Sequence, residues 1–154
     1  MDPTLLRQVI EQAAENVRRG GGPFAALVVK DGTVIAAGSN RVTASNDPTA
    51  HAEIVAIREA CRVLGSFQLT GCDMYCSCEP CPMCLGALYW ARPARIFFAA
   101  TAEDAAAAGF DDSFIYRQLA MPQAGRAILM IHVADASAQR PFAEWAARPD
   151  KVRY

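Results

Sequence analysis

Two short segments carry residue types that can do chemistry together: His51-Ala52-Glu53 and Pro80-Cys81-Pro82-Met83-Cys84. Cysteines three apart at a strand-to-helix turn can grip one metal ion from one side. A helix N-terminus there favours their thiolate form through the helix dipole. The imidazole of His51 completes a nitrogen-and-sulfur set of the kind zinc prefers, and three protein ligands leave the fourth tetrahedral position for water. Zinc lowers the pKa of such a water to about 7, which makes hydroxide available near neutrality. Glu53 is the carboxylate placed to move the protons without itself being a ligand. Residues two apart on a regular helix point to different sides. Convergence of His51 and Glu53 therefore requires His51 in an irregular first turn, an arrangement that Thr49 as the helix cap would provide.

Other chemistry competes for the same cysteines. Cys78-Glu79-Pro80-Cys81 is itself a CxxC pair before a helix, the pattern of a thioredoxin-type redox site. Cys78, Cys81 and Cys84 with a fourth cysteine would make a closed structural zinc site. Neither alternative uses His51-Ala52-Glu53. Cys61, Cys72, Cys76 and Cys78 read as small buried hydrophobes. Five of the six cysteines fall between Cys72 and Cys84. With no secretion signal in the opening Met1-Asp2-Pro3-Thr4, that clustering points to metal or catalysis in a reducing compartment, the cytoplasm.

A chain of 154 residues is expected to form one domain, 1–154. Hydrophobic residues make up 53% and charged residues 20%, enough apolar surface for a core and too much for a disordered chain. Fifteen basic and sixteen acidic residues give a formal charge of -1, so no global field recruits nucleic acid or an anionic membrane. No apolar run approaches the roughly 18 residues of a membrane span.

The elements that must position the two segments follow from periodicity and turn chemistry. Asp2-Pro3 caps a first helix with apolar residues at helical spacing, ended by Gly20-Gly21-Gly22-Pro23. Residues 24–29 and 33–37 read as strands joined by the hairpin turn Asp31-Gly32. A helix is expected from Asp47-Pro48-Thr49 to about Leu64, a strand over 74–77 and a helix over 82–89. A strand over 95–100 and an alanine-rich helix to Gly109 follow, then a fifth strand over 127–133 and a short helix over 141–147. Strands separated by helices imply parallel crossovers, hence an α/β chain with a mixed five-stranded sheet between helix layers.

H-x-E followed by P-C-x-x-C resembles the signature of zinc-dependent nucleobase deaminases. From Phe24 through Ala100 the chain resembles the cytidine-deaminase-like superfamily. Asp47-Pro48-Thr49-Ala50-His51-Ala52-Glu53 and Cys81-Pro82-Met83-Cys84 look like the branch that holds tRNA adenosine deaminases and small bacterial guanine deaminases. Tyr89-Trp90-Ala91-Arg92-Pro93, Gly109-Phe110-Asp111-Asp112-Ser113-Phe114 and Tyr154 are similar to the guanine deaminases.

The resemblance implies a three-layer α/β/α cytidine-deaminase-like fold and a hydrolase of purine metabolism that converts guanine to xanthine and ammonia. It implies Zn2+ on His51, Cys81 and Cys84, with Glu53 and Asp112 catalytic. Asn40 would bind the purine edge, Phe24 and Trp90 would wall the planar base, and Asp112 would face the amino-bearing edge. Asp111 is the alternative to Asp112. It further implies a homodimer in which residues 139–154 are exchanged, so that Tyr154 closes over the neighbour's base.

A tRNA adenosine deaminase is the competing enzyme. It would need lysines and arginines for RNA phosphates, yet residues 139–154 carry four basic and two acidic residues, a weak stripe. A non-catalytic zinc-stabilised binding module is the reading from another class, and it would be expected to lack Glu53 or the open metal position.

Overall fold

In the computed structural model, which describes residues 1–154, α1 (Pro3–Arg18) begins as its sequence dictates. Asp2 Oδ1 accepts from Thr4 N at 2.8 Å, and Pro3 occupies the first position, where no amide donor is needed. Leu5, Val9 and Ala13 form the buried stripe of that helix. β1 (Ala25–Lys30) and β2 (Thr33–Ser39) make the expected hairpin. Asp31 and Gly32 both take positive φ, 50° and 78°, the mirror-image turn that matches strand twist.

β3 (Cys72–Cys78) pairs antiparallel with β1, and β4 (Arg95–Ala100) pairs parallel with β3. The crossover between them is α4 (Pro82–Ala91). The strand order is β2-β1-β3-β4, a mixed sheet. Its faces are dressed differently. Leu5, Val9 and Ala13 of α1 pack with Ala25, Leu27, Val29 and Tyr75 on one side. On the other, Ala26, Val28, Met74 and Cys76 pack with Ala52, Ala56 and Ala60 of α3 (Ala52–Leu64) and Leu88 of α4. β1 and β3 are thus buried on both faces, which explains their near-continuous apolar runs.

Two expectations are corrected. The helix drawn from Asp47 starts five residues later, at Ala52. Asp47 Oδ1 instead accepts from both the N and Oγ1 of Thr49, and Ala50 N donates to Asp47 O, so the cap-like residues close a tight loop. A short helix, α2 (Val42–Ser45), precedes it.

The fifth strand over 127–133 does not form, and the sheet has four strands. Ile128 is 81% exposed, and Leu129, Ile131 and Val133 are exposed with it. An apolar run becomes a strand only where another strand offers its ladder groups, and no strand of this chain pairs with it. Helices α5 (Ala102–Ala107), α6 (Ser113–Ala120) and α7 (Arg140–Ala147) complete the described elements, with a 3-10 turn at Gln123–Gly125. α6 and the 3-10 turn lie where the sequence pattern indicates no element.

The chain divides into two compact units, Met1–Phe114 and Ile115–Tyr154. The first contains the whole sheet and its two cores. In the second, Arg140 pairs with Glu144 at 2.6 Å and Arg148 with Asp150 at 2.9 Å, both exposed. No helix is long and apolar enough to cross a membrane.

Candidate active site

The site is built on two helix N-termini. His51 is the residue before the first turn of α3, in extended conformation at φ -66° and ψ 156°. Cys81 holds the equivalent position on α4, at φ -63° and ψ 167°. Neither side chain caps its own helix, so each is available to point at the other. Sequence reasoning placed His51 in an irregular first turn with Thr49 as cap. The cap is His51 itself, and this resolves how His51 and Glu53 converge although they are two apart.

Gly38 allows the approach of strand to helix. A Cβ there would overlap Ala52 O and lie 2.6 Å from Ala56 N. Arg41 N donates to Ala50 O at 2.9 Å, which ties the end of β2 to the residue preceding His51.

The three expected ligand atoms come together. His51 Nδ1 lies 3.5 Å from Cys81 Sγ, and the donor atoms of His51, Cys81 and Cys84 all lie within 4.8 Å of one another. Zn–N of about 2.0–2.1 Å and Zn–S of about 2.3 Å at tetrahedral angles place ligand atoms roughly 3.5–3.8 Å apart. One imidazole and two sulfurs at this spacing fit zinc. Cys78 belongs to no such group; its Sγ donates to Thr101 O at 3.4 Å. The redox pair and the closed cysteine site therefore find no support in the geometry. Cys78→Ser should retain both zinc and turnover, because a hydroxyl can donate the same bond. Metal analysis alongside the activity assay checks this, and a zinc-free, inactive Cys78→Ser protein would restore Cys78 to the ligand set.

Protons are unevenly shared across the cluster. The Cys81 thiol is pulled down to about 4, chiefly by the hydrogen bond from Cys84 and further by His51. Cys84 is pushed up because it donates to Cys81 and is buried beside Glu53. The His51 imidazolium is favoured by its bond to Cys81. Glu53 is 8% exposed, with Oε2 3.5 Å from Cys84 Sγ, and burial raises its carboxyl above the usual range. A buried carboxyl beside the cluster can both accept and return a proton.

The two candidate aspartates separate. The Asp111 carboxylate accepts from Ser113 N at 2.8 Å and from Ser113 Oγ at 3.0 Å, closing a tight turn just before α6. The Asp112 carboxyl is raised by burial and by the Cys81 charge, and lowered by His51. Asn40 sits one residue beyond β2, with Oδ1 accepting from Val42 N at 3.3 Å. Phe24 precedes β1, and Phe110 meets it edge-on at 5.0 Å between ring centres.

Trp90 is 64% exposed, on α4 but off the buried Cys84–Leu88–Ala91 stripe. Tyr154 is 72% exposed and belongs to the second unit.

Two further residues shape the site through contacts that no motif indicates: Phe110, against Phe24, and Glu79. Glu79 anchors the loop before Cys81, its N donating to Ala100 O at 2.9 Å and its Oε2 accepting from Ala102 N at 3.2 Å. Neither has a spacing signal, since both act on partners far away along the chain.

Residues 1–100 match the family model of the cytidine and deoxycytidylate deaminase zinc-binding region. Guanine deaminase of Bacillus subtilis (strain 168) is 54% identical over 152 residues, 98% of this chain and 97% of that protein. A tRNA-specific adenosine deaminase of Aquifex aeolicus is 41% identical over 95 residues, 62% of this chain and 63% of that one. The X-ray structure of the Bacillus subtilis guanine deaminase superposes with a TM-score of 0.97 at 53% identity, covering 100% of this chain and 99% of that chain. A guanine deaminase from Nitrosomonas europaea gives 0.67 at 38% identity, covering 70% and 63% respectively.

Proposed function

Because the chain belongs to the cytidine and deoxycytidylate deaminase zinc-binding family, we propose that it hydrolyses guanine to xanthine and ammonia. The observation that carries this reading is near full-length identity to a guanine deaminase, joined to a His51-Cys81-Cys84 cluster with Glu53 beside it. The adenosine deaminase matches are confined to part of the chain.

Zinc held by His51, Cys81 and Cys84 supplies a Lewis acid that activates water at neutral pH. The chain's own residues do the rest. Guanine and water exchange the amino group on carbon 2 for an oxygen, and two protons must move. Glu53 takes a proton from the attacking water and delivers it to the adjacent ring nitrogen. A second transfer, assisted by Asp112, converts the amino group into ammonia as the carbon–nitrogen bond breaks. Asn40 holds the purine edge with its amide, and Phe24 supplies an apolar wall, with Trp90 as the second wall in the assembled enzyme. Burial of Glu53 keeps bulk water from its carboxyl.

The decisive measurement follows the absorbance change from guanine to xanthine with zinc-loaded protein, beside inosine formation in tRNA. Guanine turnover with unmodified tRNA is expected. Editing of tRNA with no activity on guanine would overturn the reading. Two of the four basic residues in 139–154 are already committed to Glu144 and Asp150, which leaves little charge for an RNA backbone.

The working form we infer is a homodimer of 154-residue deaminase domains that exchange residues 139–154. The exposed apolar run 128–133 and the edge strand β4 support this, since in one chain the run has no strand partner and β4 is paired on one side only. In that assembly Tyr154 covers the partner's base. Removing Tyr154 should leave zinc and fold intact and lower guanine turnover at least about tenfold, equivalent to 1.4 kcal/mol in the barrier. Unchanged kinetics would show an ordinary frayed end. Six free cysteines and no disulfide suit a reducing, cytoplasmic setting.

A further inference from the structure

Helix α1 presents two amides to the end of β2. Gln12 and Asn16 are four apart and so stand one above the other on the helix. Gln12 Nε2 donates to Gly38 O and to Ser39 Oγ, each at 3.2 Å. One turn on, Asn16 Nδ2 donates to Asn40 O at 3.0 Å and to Gly22 O at 2.8 Å. The main-chain oxygen of Asn16 also accepts from Gly21 N at 2.8 Å. A single residue thus grips both chain segments that lead to the base-binding side chains.

Those segments need a support. Asn40 lies one residue past the last ladder pair, Ala25 with Ser39, so its carbonyl has no strand partner. Its N–H donates to Phe24 O at 3.0 Å, which couples it to the aromatic wall. A Cβ on Gly22 would lie 3.1 Å from Asn40 Oδ1, so the glycine loop rests directly on the Asn40 amide. With Oδ1 already accepting from Val42 N, the orientation of that amide follows from where its backbone is held. Both N–H groups of the Asn16 amide are spent on this one task.

We propose that Asn16 is a positioning residue for purine binding, setting Asn40 and the Gly22–Phe24 loop in the geometry the base requires. The inference rests on the reading of Asn40 as the residue that binds the base. It assigns a role in substrate affinity to a helix that carries no catalytic group. Loss of the Asn16 amide should be felt as weaker binding of guanine while the zinc ligands and Glu53, on α3 and α4, stay in place.

The test is a double-mutant cycle on the zinc-loaded enzyme with guanine, with kcat, KM, zinc content and melting temperature measured for each protein. Asn16→Ala should raise KM about tenfold, with kcat within about threefold and one zinc per chain. In the Asn40→Ala background the same change should add less than about twofold, because the side chain it positions is gone. Gln12→Ala loosens the neighbouring turn of the same contact and serves as the structural control. It should lower the melting temperature yet leave KM within about twofold. If Asn16→Ala does not fold, Asn16→Ser is measured in its place, with the same expectations. A wild-type KM in the Asn16 variant, or a tenfold effect that persists undiminished without the Asn40 side chain, overturns the inference and leaves the reading of Asn40 standing. An Asn40→Ala enzyme with unchanged KM and kcat overturns that reading and the inference together.

Discussion

Glu53→Ala should bind one zinc per chain as the parent does and lose guanine turnover by about 10²–10⁴-fold, the usual contribution of a positioned general acid–base group. The expectation comes from where Glu53 stands. Its carboxyl contacts Cys84 Sγ at 3.5 Å, close to the cluster, while the donor set that suits zinc is complete without it. Removing the carboxylate takes away the carrier of the water's proton and leaves the ligands untouched. It also empties a buried polar position, so the folded state should be no less stable, since a desolvated carboxyl is no asset to folding. Metal analysis, thermal melting and the absorbance assay on one preparation check all three statements. A folded Glu53→Ala protein without zinc would make Glu53 a ligand. One with near-parental turnover would move proton transfer to another group.

Cys84→Ser should abolish zinc binding and reduce turnover to the limit of detection. Serine keeps nearly the shape of cysteine, so the completely buried position on α4 is still filled. What changes is chemistry: a hydroxyl does not ionise near neutral pH and is a harder donor than the thiolate zinc prefers. Two remaining ligands, His51 and Cys81, lie on separate helices and make an open, weak site. Because metal binding adds to the stability of the state that binds it, chelation should lower the melting temperature of the parent and leave that of Cys84→Ser unmoved. A Cys84→Ser enzyme that carries zinc at parental stoichiometry and turns over guanine would exclude Cys84 from the centre.

Much of the site was legible in the chain because its information is local. His51 and Glu53 are two apart, Cys81 and Cys84 three apart, and each pair lies at a helix start, the one at Cys81-Pro82 announced by its proline. The same holds for the Asp2 cap, for the Asp31-Gly32 turn, where two successive residues take positive φ, and for β4, which fills the whole of residues 95–100. A cap, a tight turn or a ligand spacing is decided within a few residues, so the sequence by itself determines it.

What the tertiary structure decided involves groups distant along the chain. The pattern at Asp47-Pro48-Thr49 is a good helix start, yet loop closure onto Arg41 and the contact of Gly38 with α3 delay the helix until Ala52. Asp111 and Asp112 are identical in type, and only the turn onto Ser113 at the start of α6 ties up the Asp111 carboxylate. Residues 127–133 have strand composition, but a strand is a relation between two segments, and the chain provides no ladder partner for this one. Asn16 reads as an ordinary polar residue near a helix end until Gly22 and Asn40 are brought beside it. Hydrogen bonds between segments 6 and 24 residues apart are made only when the sheet and helices are packed, and that packing is what turns local signals into a site.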